Sequence, residues 1–212
     1  MDSIQIYYEK LADTVISNLK KRQMEGYYFP TAKEAVEKAM SLLPENATVG
    51  FGGSMTLVES GMYDALKSSP SIRLYDRNEV SSPEEIEALY HNCLTADAYF
   101  MSSNAISSDG ILVNIDGRGN RVAALIYGPK EVFVFAGMNK LSPTVEDAVR
   151  RVRNTATPPN CIRLQKQTPC SINGTCSDCL SPDCICNQIV ITRRSGVKGR
   201  IKVFLIGEPL GF

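Results

Sequence analysis

The feature that most constrains this chain is a strand–helix alternation with short links through its first half. Ala47–Phe51 reads as a short apolar strand running into Gly52-Gly53-Ser54 and a helix through Leu66. Ile72–Tyr75 is the next strand, Ser82-Pro83-Glu84-Glu85 opens a helix with an N-cap, a first-turn proline and a boxed Glu, and 97–103 is a further strand. Strands joined through helices in this way run parallel, so the expected class is α/β, with a parallel sheet flanked by helices. Upstream, Ile4, Tyr8, Leu11, Val15 and Leu19 form one helical stripe over 2–25, and Thr31-x-x-Glu34 caps a second helix over 32–43.

Past residue 103 the rhythm changes. The run 111–115, the turn Asp116-Gly117-Arg118-Gly119-Asn120 and the run 122–127 read as a hairpin. A strand over 132–136 follows, then a helix capped by Ser142-Pro143 through Arg153, and a cysteine-rich loop after Pro158-Pro159. Strands at 188–192 and 200–206 complete a mixed, mostly parallel sheet with an antiparallel portion. A chain of 212 residues is expected to form one domain, with the helix 2–25 and the loop 170–186 as appendages.

Charge and hydropathy exclude several function classes. Basic and acidic residues number 23 each, so no net field gathers nucleic acid. No apolar run approaches the roughly 20 residues of a membrane span. Met1-Asp2-Ser3 lacks the basic flank and apolar stretch of a leader, so a cytoplasmic protein is expected.

Two polar stretches are candidates for chemistry. In Val49-Gly-Phe-Gly-Gly-Ser-Met-Thr56 the glycines allow close backbone approach, and the helix-opening amides with the Ser54 and Thr56 hydroxyls suit an anion. A plain tight turn capped by Ser54 is the alternative. A dinucleotide fingerprint would use Gly50 and Gly52 with Asp76 as ribose-binding acid, but position 55 is Met where the pattern wants Gly. The second stretch holds Asn104, Asp109, Asn114, Asp116, Asn120 and Arg121 within 18 residues. Asn114 interrupts an apolar run and needs partners if buried, and Arg121 is suited to clamp a carboxylate or phosphate. Lys130 and Asn139-Lys140 add positive charge to the same rim.

These residues carry a resemblance. Gly52-Gly53-Ser54, the block from Asn104 through Asn114-Ile-Asp-Gly-x-Gly-Asn120-Arg121 to Val-Ala-Ala, Tyr127-Gly-Pro-Lys130 and Ala136-Gly-Met-Asn-Lys140 resemble the LUD family of lactate-utilisation, LutC-like proteins. The resemblance implies a three-layer α/β/α sandwich similar to the NagB/RpiA/CoA-transferase fold. It implies lactate or organic-acid metabolism beside iron–sulfur partner proteins, and a small anionic ligand, phosphorylated or carboxylated, near the glycine turn. The ligand-binding set is then Gly52, Gly53, Ser54, Thr56, Asn104, Asn114, Asp116, Asn120, Arg121 and Lys140. Glu59 and Asp109 are the carboxylates nominated for acid/base or nucleophilic work, as in fold relatives where a carboxylate near such a turn attacks a thioester or moves a proton.

Six of the seven cysteines follow residue 160, five of them in Cys170–Cys186. A Cys-x-x-Cys pair with further thiols in a turn-rich loop suits one zinc ion or an iron–sulfur cluster, with a reversible disulfide or packed reduced thiols as alternatives. The resemblance places the thiols at Cys170, Cys176, Cys179 and Cys186; Cys93 and Cys161 read as buried thiols and His91 as a surface or cap residue. Two other functions stay open: an assembly or redox/metal-sensing protein whose first helix makes a homodimer contact, and an NAD-dependent dehydrogenase using Asp76.

Overall fold

The computed structural model describes residues 3–212; Met1 and Asp2, which begin the stretch read as leaderless and of which Asp2 opens the expected first helix, lie outside the described residues. The chain runs α1 (Ser3–Lys21), β1 (Glu25–Phe29), α2 (Ala32–Ser41), β2 (Ala47–Phe51), α3 (Met55–Glu59), α4 (Met62–Ser68), β3 (Ile72–Tyr75), α5 (Pro83–Leu94) and β4 (Ala98–Ser102). It continues through β5 (Ala105–Ser107), β6 (Leu112–Asp116), α6 (Asn120–Ile126), β7 (Glu131–Gly137), β8 (Leu141–Ser142), α7 (Val145–Arg151), α8 (Thr157–Arg163), α9 (Pro169–Asn173), β9 (Gln188–Thr192) and β10 (Ile201–Ile206). No helix is long and apolar enough to cross a membrane among the described residues.

The expected α/β class is observed. Six strands form a parallel sheet in the order β1-β10-β7-β4-β2-β3. Alternation along its central strands sorts side chains to two faces. Val132, Val134, Ala136, Val203 and Leu205 pack with Ala12, Val15 and Leu19 of α1, Cys93 of α5 and Leu125 of α6. Phe133, Phe135, Phe204 and Ile206 pack on the other face with α2, α3 and α4 through Ala35, Leu57, Met62 and Leu66. The capping boxes at Thr31 and Ser82 form as expected, each with its Glu side chain returned to the cap backbone.

A second, mixed sheet of four strands, β8-β5-β6-β9, supplies the antiparallel portion. Its composition corrects the expected hairpin: residues 120–126 are helical, and β6 pairs instead with β5 and β9. The cause is local. Asp116 Oδ1 accepts the N–H groups of Arg118 at 3.1 Å and Gly119 at 2.7 Å, and Gly119 turns through φ 94°, delivering Asn120 to a helix start. Val122 and Leu125, one turn apart, are then both buried.

Two further boundaries move. The helix expected from Ser142-Pro143 starts at Val145, because Ser142 belongs to β8 and the Thr144 hydroxyl caps the N–H of Asp147. It also continues past Arg153 through a π turn over 152–156 into α8, with Pro158 and Pro159 in that helix's first turn. The wide turn lets the Thr157 N–H and hydroxyl both reach Val152 O, so the prolines cost no interior hydrogen bond.

The aromatic side of the central sheet should be the most sensitive part of the core. Phe204 is fully buried, with ring centroids 5.0 Å from Tyr27, 5.9 Å from Phe133 and 4.9 Å from Phe135. Phe204→Ala is expected to lower unfolding free energy by about 3–5 kcal/mol, measured by urea denaturation.

Candidate functional site

The carboxyl ends of β2, β4 and β7 meet at one edge of the parallel sheet, where α/β folds place ligands. An open cavity of about 360 Å³ lies there, lined by Gly53, Ser54, Thr56, Ser102, Asn104, Asp116, Asn120, Arg121, Lys140, residues of α8 and Phe212. Most of the expected binding set is therefore brought together.

Arg121 organises this edge. Its Nη1 donates to Ser102 O at 2.9 Å and Asn114 Oδ1 at 2.6 Å. Its Nη2 donates to Asn104 Oδ1 at 3.0 Å and Ile115 O at 2.6 Å, and Nε lies 3.4 Å from Asp116 Oδ2. All five donors of the guanidinium are thus directed to protein acceptors. This corrects the expected ligand clamp: Arg121 joins β4, the β4–β5 link and β6, and its charge reaches the cavity while its N–H groups do not. Burial lowers its pKa, and Asp116 opposes that shift. Asn114 is fully buried, with Oδ1 held by Arg121 and Nδ2 without a partner among the described residues.

Gly52 exists for the same reason. A Cβ there would sit 3.0 Å from Arg121 Cδ and 3.2 Å from the Tyr99 hydroxyl. A Cβ on Gly50 would lie 2.6 Å from Cys93 Sγ, so both positions of the fingerprint-like pair serve packing. Gly53 differs: it is exposed, and a Cβ on it would meet nothing within 4 Å. Ser54 is the α3 N-cap but its hydroxyl makes no capping bond, leaving it available at the cavity wall.

Lys140 is the other organising charge. It follows β7, is 3% exposed, and donates from Nζ to Thr56 Oγ1 at 2.8 Å and Ser102 Oγ at 3.0 Å. No carboxylate pairs with it among the described residues. Its pKa is lowered to about 7, by burial first and then by the neighbouring Arg151 and Arg121, against a weaker pull from Glu59. Arg151, held by Asn139 O and Asn104 O, makes this a three-cation cluster. The residues 210–212 close over it: Thr56 Oγ1 donates to Leu210 O at 3.2 Å, Asn139 Nδ2 to Gly211 O at 3.2 Å, and Phe212 lines the cavity.

The nominated carboxylates lie elsewhere. Glu59 is exposed and accepts the Gly211 N–H at 2.6 Å, which fixes the 210–212 segment. Asp109 is exposed on the β5–β6 turn, where its carbonyl accepts from Arg22 Nε beside the end of α1. Asp76 is buried, accepting from the Tyr63 hydroxyl and the Asn78 N–H, so it is not free to hold a ribose.

The four cysteines expected to share a metal do not converge. Among the described residues no three His, Cys, Asp or Glu side chains meet as a metal-holding group. Cys170 Sγ lies 3.7 Å from Cys161, Cys176 accepts from Arg153, and Cys186 approaches Thr157. The loop is held instead by Asp183, which accepts from Lys166 Nζ at 2.9 Å and Gln167 N–H at 2.7 Å, and by Asn187 donating to Gly117 O. Burial pushes the Cys161 thiol up to about 11 and that of Cys186 up to about 12, which keeps both protonated and poorly nucleophilic.

Ser102, Arg151, Asn160 and Arg163 escaped the sequence reading. Asn160 and Arg163 line the cavity from α8, which forms where the sequence pattern gives a loop after Pro158-Pro159. The Ser102 hydroxyl was legible as a polar residue ending an apolar strand.

The family model described as LUD domain matches residues 12–206. A DUF162 family protein from Deinococcus radiodurans is 14% identical, with a TM-score of 0.54 over 94% of this chain and 98% of that one, which shows a shared fold. Ribose 5-phosphate isomerase A from Neisseria gonorrhoeae is 16% identical, with a TM-score of 0.35 over 54% of each chain. The delta subunit of eIF2B from Chaetomium thermophilum is 18% identical, with a TM-score of 0.36 over 63% of this chain and 52% of that one. Those two partial overlaps carry no argument. No curated protein matches the chain.

Two measurements check the site's energetics. Arg121→Ala is expected to lower unfolding free energy by about 3–5 kcal/mol, because it strands the acceptors and the Asp116 charge that the guanidinium satisfies. Lys140 binds its proton more weakly folded than unfolded, so the unfolded chain holds more protons between about 7 and 10.5. Stability of the wild type relative to Lys140→Met should therefore rise with pH across that window, followed by urea titrations at several pH values.

Proposed function

The chain belongs to the LUD domain family, related at family level to lactate utilisation, and from that premise we propose that its cavity binds a small anionic metabolite, carboxylated or phosphorylated. The observation that carries this reading is Lys140: a nearly buried lysine with no carboxylate partner, beside Arg121 and Arg151, on the wall of an open cavity. Three cations face one buried acid, Asp116, and Asp116 already serves Arg121. Like charges gathered in a partly desolvated site repel, and an anion entering the cavity relieves that repulsion. Gly53 and Ser54 add polar groups to the same wall, which Asn120 also lines. Arg118 and Arg163, which also line the cavity, add to the positive field there.

The NAD-dependent alternative loses its acid to the Tyr63 and Asn78 hydrogen bonds. The thiol-sensing alternative has one observation behind it, the buried Cys161–Cys170 contact, and faces the raised thiol pKa of Cys161. The iron–sulfur partner proteins implied by the family resemblance, and a homodimer through α1, stay outside this reading.

Calorimetric titration with L-lactate, pyruvate and a sugar phosphate tests it. Binding of at least one is expected, weakening as salt is raised and falling by about tenfold or more in Lys140→Met, a loss of roughly 1.4 kcal/mol or more. If wild-type protein shows no heat with any of them, the reading fails.

A further inference from the structure

Within the protein's own contacts Lys140 has the surroundings of a nucleophilic amine, its ion-pair partner being left to the anion that enters the cavity. The two groups within hydrogen-bond distance of Nζ are hydroxyls, Thr56 at 2.8 Å and Ser102 at 3.0 Å. Each hydroxyl already gives its proton to a backbone carbonyl: Thr56 to Leu210 O at 3.2 Å, and Ser102 to Ser103 O at 3.2 Å. Both can therefore only accept from Nζ. A neutral amine has two N–H donors and one lone pair, so two accepting hydroxyls satisfy its donors and leave the lone pair unengaged. An ammonium would have a third N–H with no partner among the described residues, at a position 97% shielded from solvent. Lys140 also lines the cavity, so an occupant of that cavity is the neighbour that meets it.

The geometry points to Lys140 as a carbonyl-capturing amine, forming a reversible imine with a ketone or aldehyde group on the small anion that occupies the cavity. This rests on the reading of the cavity as an anion site and narrows its ligand to anions bearing a carbonyl.

The chemistry closes without any external oxidant or reductant. The Nζ lone pair attacks the carbonyl carbon, the C–N bond forms, and the carbonyl π pair moves to oxygen, which takes a proton. The carbinolamine then loses that oxygen as water with a second proton while nitrogen gives up its own, leaving a C=N bond. Thr56 and Ser102, each touching Nζ and each hydrogen-bonded onward, can pass those protons. Protonation of the imine nitrogen places positive charge beside the anionic group of the same ligand. The lowered proton affinity of Lys140, caused first by burial and then by Arg151 and Arg121, with Glu59 opposing, supports the step. At neutral pH it makes the free base on the order of 10³ times more abundant than for an ordinary lysine.

Borohydride trapping tests the proposal. The full chain is incubated separately with pyruvate, glycolaldehyde phosphate and L-lactate, then treated with sodium borohydride and mapped by peptide mass spectrometry. The expected result is a single reduced adduct at Lys140 with pyruvate or with the aldehyde phosphate, and none with lactate, which has no carbonyl. The two carbonyl probes tell a 2-oxo acid from a phosphorylated aldehyde. The adduct should diminish as pH falls below about 7, and should vanish in both Lys140→Met and Lys140→Arg. Arg keeps the charge and much of the bulk, so a Lys140→Arg variant with a wild-type circular dichroism spectrum separates loss of the amine from loss of the fold. Anion binding by calorimetry without any adduct overturns the imine and leaves the anion site standing. Adducts spread equally over exposed lysines such as Lys33, and unchanged in Lys140→Arg, overturn it too. Neither binding nor adduct overturns both readings.

Discussion

The guanidinium of Arg121 is the interaction on which the rest of the structure depends. It is anchored on α6, passes under Gly52, and hydrogen-bonds the end of β4, the β4–β5 link and β6. Those contacts join the parallel sheet to the mixed sheet at the edge that carries the cavity. A lysine could not replace it, because three donors on a flexible stem cannot meet five fixed acceptor directions. The unusual glycine beside it, the buried Asn114 and the acidic residue opening α6 all follow from seating one cation in a nearly dry place.

That choice has an electrostatic consequence. With Asp116 committed to Arg121 and to the turn that starts α6, no carboxylate among the described residues pairs with Lys140 or Arg151. The fold therefore stores positive charge at its carboxyl edge while the chain as a whole is neutral. Overall composition argued against a polyanion partner, but it says nothing about a local excess of this kind, which is the scale on which a small metabolite is recognised.

Much of the architecture was legible in the amino-acid pattern. The parallel α/β core followed from apolar runs alternating with well-capped helices, and the caps at Thr31 and Ser82 form as their spacing implies. What failed was local. The run 122–127 looks like a strand when only its apolar character is counted; the Asp116 carboxylate, holding the turn through Arg118 and Gly119, and the left-handed Gly119 decide for a helix. β1 was missed because Glu25-Gly-Tyr-Tyr-Phe29 is a half-buried edge strand with little alternation to read. α8 was missed because two prolines normally end a helix, and a π turn is invisible in sequence. The cavity-lining set was mostly recognisable from the Gly-Gly-Ser turn and the Asn/Asp/Arg block. The direction in which Arg121 points its donors was not, since a clamp and an internal strut use the same residue type. The nominated acids failed because Asp-Gly turns and helix-surface glutamates are common for reasons unrelated to chemistry.

The position of β10 has a consequence for how the molecule is assembled. This strand, over 201–206, lies between β1 and β7 and hydrogen-bonds to both, so the first strand has no partner in the sheet until residues 201–206 have been synthesised. The segment just beyond it supplies Leu210 O to Thr56 and the Gly211 N–H to Glu59. Such distant pairings carry a high loop-closure cost and form late. On the ribosome, a nascent chain that has not yet made residues 201–206 would expose the aromatic seam of β7 and an open sheet edge. Chaperone occupancy should therefore concentrate at that stage, and the cavity comes into being only as the sheet is zipped shut.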